Sequence, residues 1–546
     1  MRRTHWIFAA LIAFATGCSD RLPINAGPSD RVASAIDLGS AARDARLDFT
    51  IALQAPNEPL LHKFLENQVF TRDVMTAEDF GEQFGVSAGE YLRMSTWLRS
   101  HGMTVTRTVP GRTTISAQGT VAAIEQAFGV RLHQYEDYNG RFIATVQNLA
   151  LSPDVGSTVS GVAGLSGERP WTPHYVKLPA QPNAAVATYT ATKLETQYNA
   201  STTTTPNPGT GETIVILGAG NQPKLTDVAA YLSNENPYGA GLTALPAYTQ
   251  EQVGGPNRDD PTQAEGERQE NTLDIDMVAA LAPYATIVQV MTATNGVGLF
   301  ADGISYIVNQ HAVAHAVTVS YGTCERGAAG EMPVMNAMFM QAKAEGQQWF
   351  FAAGDSGTDG CRDGTGNTII SAGWPASSPY VIGVGGTGVK TGTTEVVWDW
   401  GDAFGGATGG GPSESLDKPA YQVGVGPQAT DGARDEPDVA ALGGAPGVVV
   451  YFDGAAQAFA GTSAATPMWA GVWAMIEQGK GHKTITNGIE TLYTLGAAGM
   501  GFHDITSGNN GGPNDSPTGG YAAAAGYDLS TGWGSPNTAA LIANWP

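Results

Sequence analysis

Between Thr213 and Glu477, short apolar runs alternate with helical stretches, and few folds accommodate that order. Strands are expected at Thr213 to Leu217, Thr286 to Met291, Val317 to Ser320, Trp349 to Ala353, Val381 to Val384 and Val448 to Phe452. Helices are expected over Thr226 to Ser233, Glu270 to Leu281, Gly303 to Ala312, Met335 to Lys343 and Pro467 to Glu477. Brief apolar strands separated by helices imply an α/β fold whose sheet is mainly parallel, with helices on both faces. Sites in such sheets lie beyond the carboxyl ends of the strands. The chemically suggestive residues of this chain fall at those ends.

A separate unit precedes this array. From about Leu47 to Ser166 the pattern is that of a small α/β domain. Ser87-Ala88-Gly89-Glu90 is a capping box that opens a helix ending near Gly102, and a second helix runs from Val121 to Phe128. Its polar residues read as a solvated surface. Residues 19–46 are polar and small, as in a flexible leader, and the first 18 residues form an export signal: Arg2 and Arg3, the apolar run Trp6 to Ala15, then small residues. Ala15-Thr16-Gly17-Cys18 is similar to a bacterial lipobox with alanine where leucine is usual, so lipidation of Cys18 and plain cleavage nearby both stay open. Exported chains favour paired cysteines, and Cys324 and Cys361 are expected to form a disulfide. The 51 acidic residues against 28 basic ones give a charge of −23, which argues against nucleic-acid binding and suits work in acid. Glu168 to Asn183 and Thr188 to Gly211 have loop compositions, and a boundary exposed to proteolysis falls there.

In Ala460-Gly461-Thr462-Ser463-Ala464-Ala465-Thr466-Pro467, a serine stands between small residues at the mouth of a helix whose first turn is read as holding the proline. The helix N-terminus offers free N–H groups, which suits a nucleophile, although Thr462 and Ser463 also read as ordinary caps. Glu270 and Asp274 lie four apart on one helix face. Their repulsion is understandable if one carries a proton, the alternative being a solvated acidic face. Asp355, between Gly354 and Ser356-Gly357, follows the apolar run Phe350 to Ala353 and sits in a tight turn. None of the nine histidines has the context of a serine's base. His311 and His315 have metal-ligand spacing on one helix face but no third partner, and read as helix residues.

Together these motifs resemble those of the sedolisins, or serine-carboxyl peptidases, preceded by a pro-kumamolisin-type activation domain. The resemblance rests on Glu270-x-x-x-Asp274, Gly354-Asp355-Ser356-Gly357, Gly461-Thr462-Ser463-x-x-x-Pro467, and Asp504-Ile505-Thr506-Ser507-Gly508 with Gly526-Tyr527-Asp528. It implies a subtilisin-like sheet behind a ferredoxin-like prodomain at 47–167, a linker with the processing site at 168–187, and a peptidase domain at 188–546. It also implies Ser463 as nucleophile, Glu270 as general base, Asp274 as its orienting partner, and a protonated Asp355 as oxyanion donor. Ca2+ would be held by carboxylates of Asp504 and Asp528 and carbonyls of Ile505, Ala524 and Gly526. Two departures are visible: Tyr321 where some members have tryptophan, and Ile216 where some have a further glutamate. The function expected is an exported, acid-acting, self-processing endopeptidase. It would act on protein or peptide substrates and be inhibited by its own prodomain, with membrane attachment only through a lipid on Cys18. The rivals are an inactive relative used for binding, and a neutral serine hydrolase, which would lack its histidine.

Overall fold

A computed structural model describes residues 21–546 except 24–26, 67–73, 139, 178–187, 201–205, 236–241, 243, 259–263, 312–313, 363–367, 400, 402–404 and 512–518. The expected export signal and Cys18 therefore lie outside the described residues, as does the second half of the expected processing linker, 178–187.

Among the described residues the large sheet has eight strands. In spatial order they are Ala247–Val253, Thr286–Thr292, Thr213–Ala219, Ala316–Val319, Gln348–Ala352, Ile382–Thr391 and Thr394–Val397, with Val439–Leu442 also paired to Ile382–Thr391. All neighbours run parallel except Thr394–Val397, which is antiparallel to Ile382–Thr391. Alternation along Thr213–Ala219 divides the interior. Ile214 and Ile216 pack with Leu273, Met277, Met468 and Trp469 on one face. Val215, Leu217 and Ala219 pack with Phe300, Ile304 and Met335 on the other. Both faces are thus covered by helices, as a parallel sheet requires. The edge strand Ala247–Val253 has no apolar alternation to betray it; its sequence is Ala-Tyr-Thr-Gln-Glu-Gln-Val.

The N-terminal unit is built in the order strand, helix, strand, strand, helix, strand. Arg46–Leu53, Thr104–Thr108, Thr114–Thr120 and Val159–Ala163 form an antiparallel sheet in which Arg46–Leu53 and Thr114–Thr120 are central. Helices Ala88–Ser100 and Val121–Phe128 close its core. This is the ferredoxin-like arrangement. Ser87 and Glu90 close both hydrogen bonds of the capping box, and Gly102 takes the left-handed conformation that follows the helix.

Several expectations need correction. Residues 27–46 are folded: Ile36–Ser40 pairs with Leu132–Asp137, and Arg31 is buried in an ion pair with Asp137 at 2.8 Å. The apolar content of this segment is too low to signal a fold, and its order comes from pairing. Within the stretch from Thr188 to Gly211, expected to be loop, Ala191–Gln197 is a helix capped by Thr190.

The unit's polar residues are also not merely solvated. Thr50 donates to the Gly298 carbonyl at 3.2 Å, and Thr113 donates to Gln341 at 2.7 Å. Arg107 pairs with Asp302 at 2.6 Å, and Asp48 with Arg258 at 2.9 Å. The unit lies on the helices Val297–Gln310 and Met332–Ala344 of the large domain. Gly298 is required there, since a Cβ would stand 2.2 Å from the Asp48 carbonyl oxygen. Among the described residues no helix is long and apolar enough to cross a membrane.

Candidate active site

The helix Thr462–Gly479 begins at the carboxyl end of the sheet, with Gly461 at φ 132° as its cap and Ser463 in its first turn. A Cβ at Gly461 would lie 2.3 Å from the His174 carbonyl oxygen, so glycine is what lets another backbone approach the serine. Pro467 is not in the first turn but inside the helix. Lacking an N–H, it leaves the Ser463 carbonyl without its usual donor four residues on, and the Ser320 hydroxyl lies 3.4 Å from that oxygen.

Glu270 and Asp274 come from the helix Ala264–Leu281, which packs against the serine's helix. Both are fully buried, so the solvated acidic face is excluded. Ser320, directly after the strand Ala316–Val319, donates to Asp274 at 2.6 Å. Neither oxygen of the Glu270 carboxyl has a hydrogen-bond partner among the described residues; the Ser463 hydroxyl donates to the Ser320 carbonyl at 3.3 Å. Burial, then the charge of Asp274, pushes the Glu270 carboxyl well up. Burial also raises Asp274, against the opposing hydrogen bond of Ser320. Two buried carboxyls so placed hold a proton in common, which belongs to the pair.

Asp355 follows the strand Gln348–Ala352. Its Oδ1 accepts from both the backbone N–H and the hydroxyl of Thr462, each at 2.8 Å. Thr462 in turn accepts from Gly354 N–H at 3.1 Å. Asp355 Oδ2 is buried with no hydrogen-bond partner among the described residues. Oδ2 and the His174 carbonyl oxygen both border the point a Gly461 Cβ would occupy, at 2.9 and 2.3 Å. Burial raises the Asp355 carboxyl to about 7 despite the two bonds from Thr462, so it is a neutral acid below that pH.

The linker lies across this site as a substrate would. Thr172–Pro173 pairs antiparallel with Tyr321–Gly322, and Val176–Lys177 with Phe459–Ala460. Between them His174 N–H donates to the Ser320 carbonyl and to Ser463 Oγ, both at 3.1 Å. The Ser463 N–H donates to the His174 carbonyl at 2.9 Å. Tyr175 places its hydroxyl 2.8 Å from Gln269 Oε1. The contacts of His174 with the serine are main-chain contacts. Its imidazole is half-buried, is pushed down to about 4 by the burial it has, and packs where a Gly322 side chain would be. It is not a base for Ser463.

Ser320, Thr462, Gln269 and His174 were not singled out by sequence reasoning as site residues. The position of Ser320 at the carboxyl end of a predicted strand was the available signal; His174 belongs to a loop with none. Tyr321 is buried, and the charges of Glu270, Glu267 and Asp274 all reach its hydroxyl. Ile216 faces the apolar core. Cys324 and Cys361 form the expected disulfide, joining the strand beside the linker to the chain that follows Asp355. The loop at Ala407 braces Asp355, through Gly357 N–H to the Ala407 carbonyl and Gly409 N–H to the Gly354 carbonyl. His311 and His315 do not share a helix face: the helix ends at Gln310, and their rings go to Glu251 and Glu477 respectively.

The C-terminal candidates converge on one turn. Gly526 N–H donates to Asp504, and Ala524 N–H to Asp528, each at 3.0 Å. Among the described residues the carbonyls of Ile505, Ala524 and Gly526 accept no hydrogen bond. Two carboxylates and three free carbonyls around one turn are a donor set that fits a hard cation.

Residues 33–167 match the family described as Pro-kumamolisin, activation domain, and residues 259–516 match the Subtilase family. Kumamolisin of Bacillus sp. (strain MN-32) is 31% identical over 95% of both chains. The chain belongs to the kumamolisin–sedolisin family. Sedolisin of Pseudomonas sp. (strain 101) is 29% identical over 96% of this chain and 88% of its own. Mouse tripeptidyl-peptidase 1 is 33% identical over 44% of this chain and 45% of its own. The solved structure of Pseudomonas sedolisin, a serine-carboxyl proteinase complexed with pseudo-iodotyrostatin, superposes with a TM-score of 0.56 at 28% identity, covering 65% of this chain and 97% of that one. The sedolisin-family chain is thus a serine-type peptidase of subtilisin-like fold, with an activation domain as its intramolecular inhibitor and peptides as substrates.

Proposed function

We propose that the protein is an exported, acid-acting serine-carboxyl endopeptidase, made as a precursor that cuts its own linker between His174 and Tyr175. The observation that carries this reading is the His174 carbonyl, held by the Ser463 N–H at 2.9 Å on an extended segment paired on both sides of the cleft. In this reading residues 47–167 remain the core of the activation domain, 168–187 the linker, and 188–546 the peptidase domain.

Ser463 Oγ attacks the His174 carbonyl carbon, and its proton passes to Glu270. Glu270 acts as base in the microstate that leaves the shared proton on Asp274, which Ser320 holds in place. The negative charge on the carbonyl oxygen is met by the Ser463 N–H and by the protonated Asp355. The tetrahedral intermediate collapses as Glu270 returns the proton to the Tyr175 nitrogen. A water then hydrolyses the ester on Ser463 with Glu270 again as base. Acid is needed because Asp355 must be neutral, a condition that fails as pH rises past about 7. At low pH the limit is protonation of both Glu270 and Asp274. Export accords with the leader and with the disulfide; a lipid on Cys18 is not part of the proposal.

Purified precursor moved from neutral buffer to about pH 4, an acidity that keeps Asp355 protonated, should shorten to a product whose first residue is Tyr175. It should gain hydrolysis of an internally quenched peptide at the same time. An uncut chain with no peptide hydrolysis, or a first cut elsewhere, would reject the reading or its site.

Asp504, Ile505, Ala524, Gly526 and Asp528 are proposed to hold Ca2+, which would supply charge neutralisation and order to a glycine-rich turn remote from the reacting atoms. A ligand bound only by the folded state at a hundredfold excess over its Kd adds about 2.7 kcal/mol. Chelation should therefore lower the melting temperature by several degrees, with kcat changed little below the transition. An unchanged melting temperature in metal-free protein would count against the site.

A further inference from the structure

The end of the sheet opposite Ser463 carries a second group of titratable side chains. Ile214 and Ala316 are register partners in adjacent parallel strands, so the residues just ahead of those strands, Glu212 and His315, enter side by side. Glu477 lies in the last turn of the helix Thr462–Gly479, whose first turn holds Ser463. Fourteen residues separate the two along that helix, about 21 Å at 1.5 Å per residue, so the group is remote from the reaction.

One ligand atom each of Glu212, His315 and Glu477 lies within 4.8 Å of the others. Glu212 and Glu477 are only 4% and 1% exposed. The ion pairs they make among the described residues are with imidazoles alone: His315 Nδ1 stands 3.2 Å from Glu477 Oε2, and His482 Nδ1 stands 2.5 Å from Glu212 Oε1. Buried carboxylates need a counter-charge, which a bound cation would supply in place of a proton on His315.

The groups around the trio hold it in a ligating posture. His315 Nε2 is 3.0 Å from the Thr484 hydroxyl, leaving Nδ1 facing the carboxylates. Ile485 N–H is 3.4 Å from Glu477 Oε1, leaving Oε2 facing His315. Fixing the far atom of a ligand in this way is the usual outer-shell device of a metal site. His482, at φ 59°, takes a left-handed conformation uncommon for a non-glycine residue. Its side chain is 53% exposed and forms the open edge of the cluster.

We propose that Glu212, His315 and Glu477 bind a divalent transition-metal cation of the zinc class, with His482 or water as fourth ligand. Mixed imidazole and carboxylate donors suit that class, whereas Ca2+ would need six or more oxygens. Tetrahedral ligands about 2.1 Å from zinc stand about 3.4 Å apart, so modest side-chain rotation closes the site. The third partner that His315 lacks in the sequence is supplied by residues far away in the chain. The metal would fasten the far end of the Ser463 helix to two central strands.

The test uses full-length precursor, treated with chelator, returned to excess Ca2+ at neutral pH, and titrated with Zn2+ by calorimetry. One equivalent should bind and raise the melting temperature, and Co2+ in its place should give the visible absorption of a tetrahedral centre. His315→Gln and Glu477→Gln should each weaken binding at least about a hundredfold, and Thr484→Val about tenfold. Should the buried variants fail to fold, Thr484→Val carries the comparison. Absence of Zn2+ binding by the wild-type chain would overturn the proposal, leaving an ion-pair network only. Binding by the folded variants as tight as wild type would overturn it equally, placing the metal elsewhere.

Discussion

Full-length Ser463→Ala precursor should stay uncut through an acid incubation that converts the wild-type chain completely. Loss of a serine nucleophile in a subtilisin-type site costs about 10⁶-fold in turnover, and among the described residues no other hydroxyl is placed against the His174 carbonyl with a base behind it. The alanine variant keeps the Ser463-position N–H that holds this carbonyl, and every strand pairing of the linker. It should remain closed and melt near the wild-type precursor, which separates loss of chemistry from loss of fold. Electrophoresis and N-terminal sequencing over time decide the matter. A Tyr175 terminus appearing at the wild-type rate in the variant, without added protease, would mean that Ser463 does not make the cut.

Asp355→Asn should retain a measurable share of kcat/KM and extend activity to higher pH, while Asp355→Ala loses about 10² to 10³, the usual cost of an oxyanion donor. The geometry favours asparagine. Oδ1 accepts both bonds from Thr462, which an amide oxygen can also accept, and this leaves the amide N–H2 at the Oδ2 position beside the His174 carbonyl.

The wild-type donor exists only while Asp355 is protonated, so activity should fall as pH rises through about 7. Stability follows the same sign. The folded-state carboxyl is raised above its unfolded value of about 3.9. Its stabilising contribution is thus complete below about pH 4 and lost as pH rises through about 7. The amide removes that slope from both quantities. kcat/KM against pH for the two variants on one peptide is the measurement. An asparagine variant as inactive as the alanine one, or one that keeps the wild-type alkaline limb, would assign the limb to Glu270 and Asp274 instead.

The parallel sheet could be read in the sequence because its strands are apolar on both faces; Thr286–Thr292 and Gln348–Ala352 needed no context, whereas Val448–Phe452, expected beside them, pairs antiparallel with Ala455–Ala460 outside that sheet. Ala247–Val253 could not, since an edge strand needs no continuous apolar run and its polar side chains hide it. Nor could Ile36–Ser40, whose order comes from pairing with a strand about a hundred residues away. At the site, the motif residues are those whose chemistry constrains their type. Ser320 and Thr462 orient Asp274 and Asp355 through common hydroxyls, and nothing local marks such residues. His174 takes part through its backbone, which any residue type supplies.

Cutting at His174–Tyr175 would break one covalent bond and none of the pairings on either side of it. The upstream half of the linker, with Thr172 and Pro173 against Tyr321 and Gly322, would leave with the activation domain. The downstream half, with Val176 and Lys177 against Ala460 and Phe459, would become the enzyme's own first residues. A tail on so short a tether meets its groove at an effective concentration in the millimolar range. The newborn terminus would then compete with incoming peptide for the leaving-group side of the cleft. Dilution would hasten release of the upstream half, a separation of two bodies, but would not touch the downstream half, whose return is unimolecular. Bond cleavage and full activity would accordingly be separate events in time, and only the first interval would shorten as the protein is diluted.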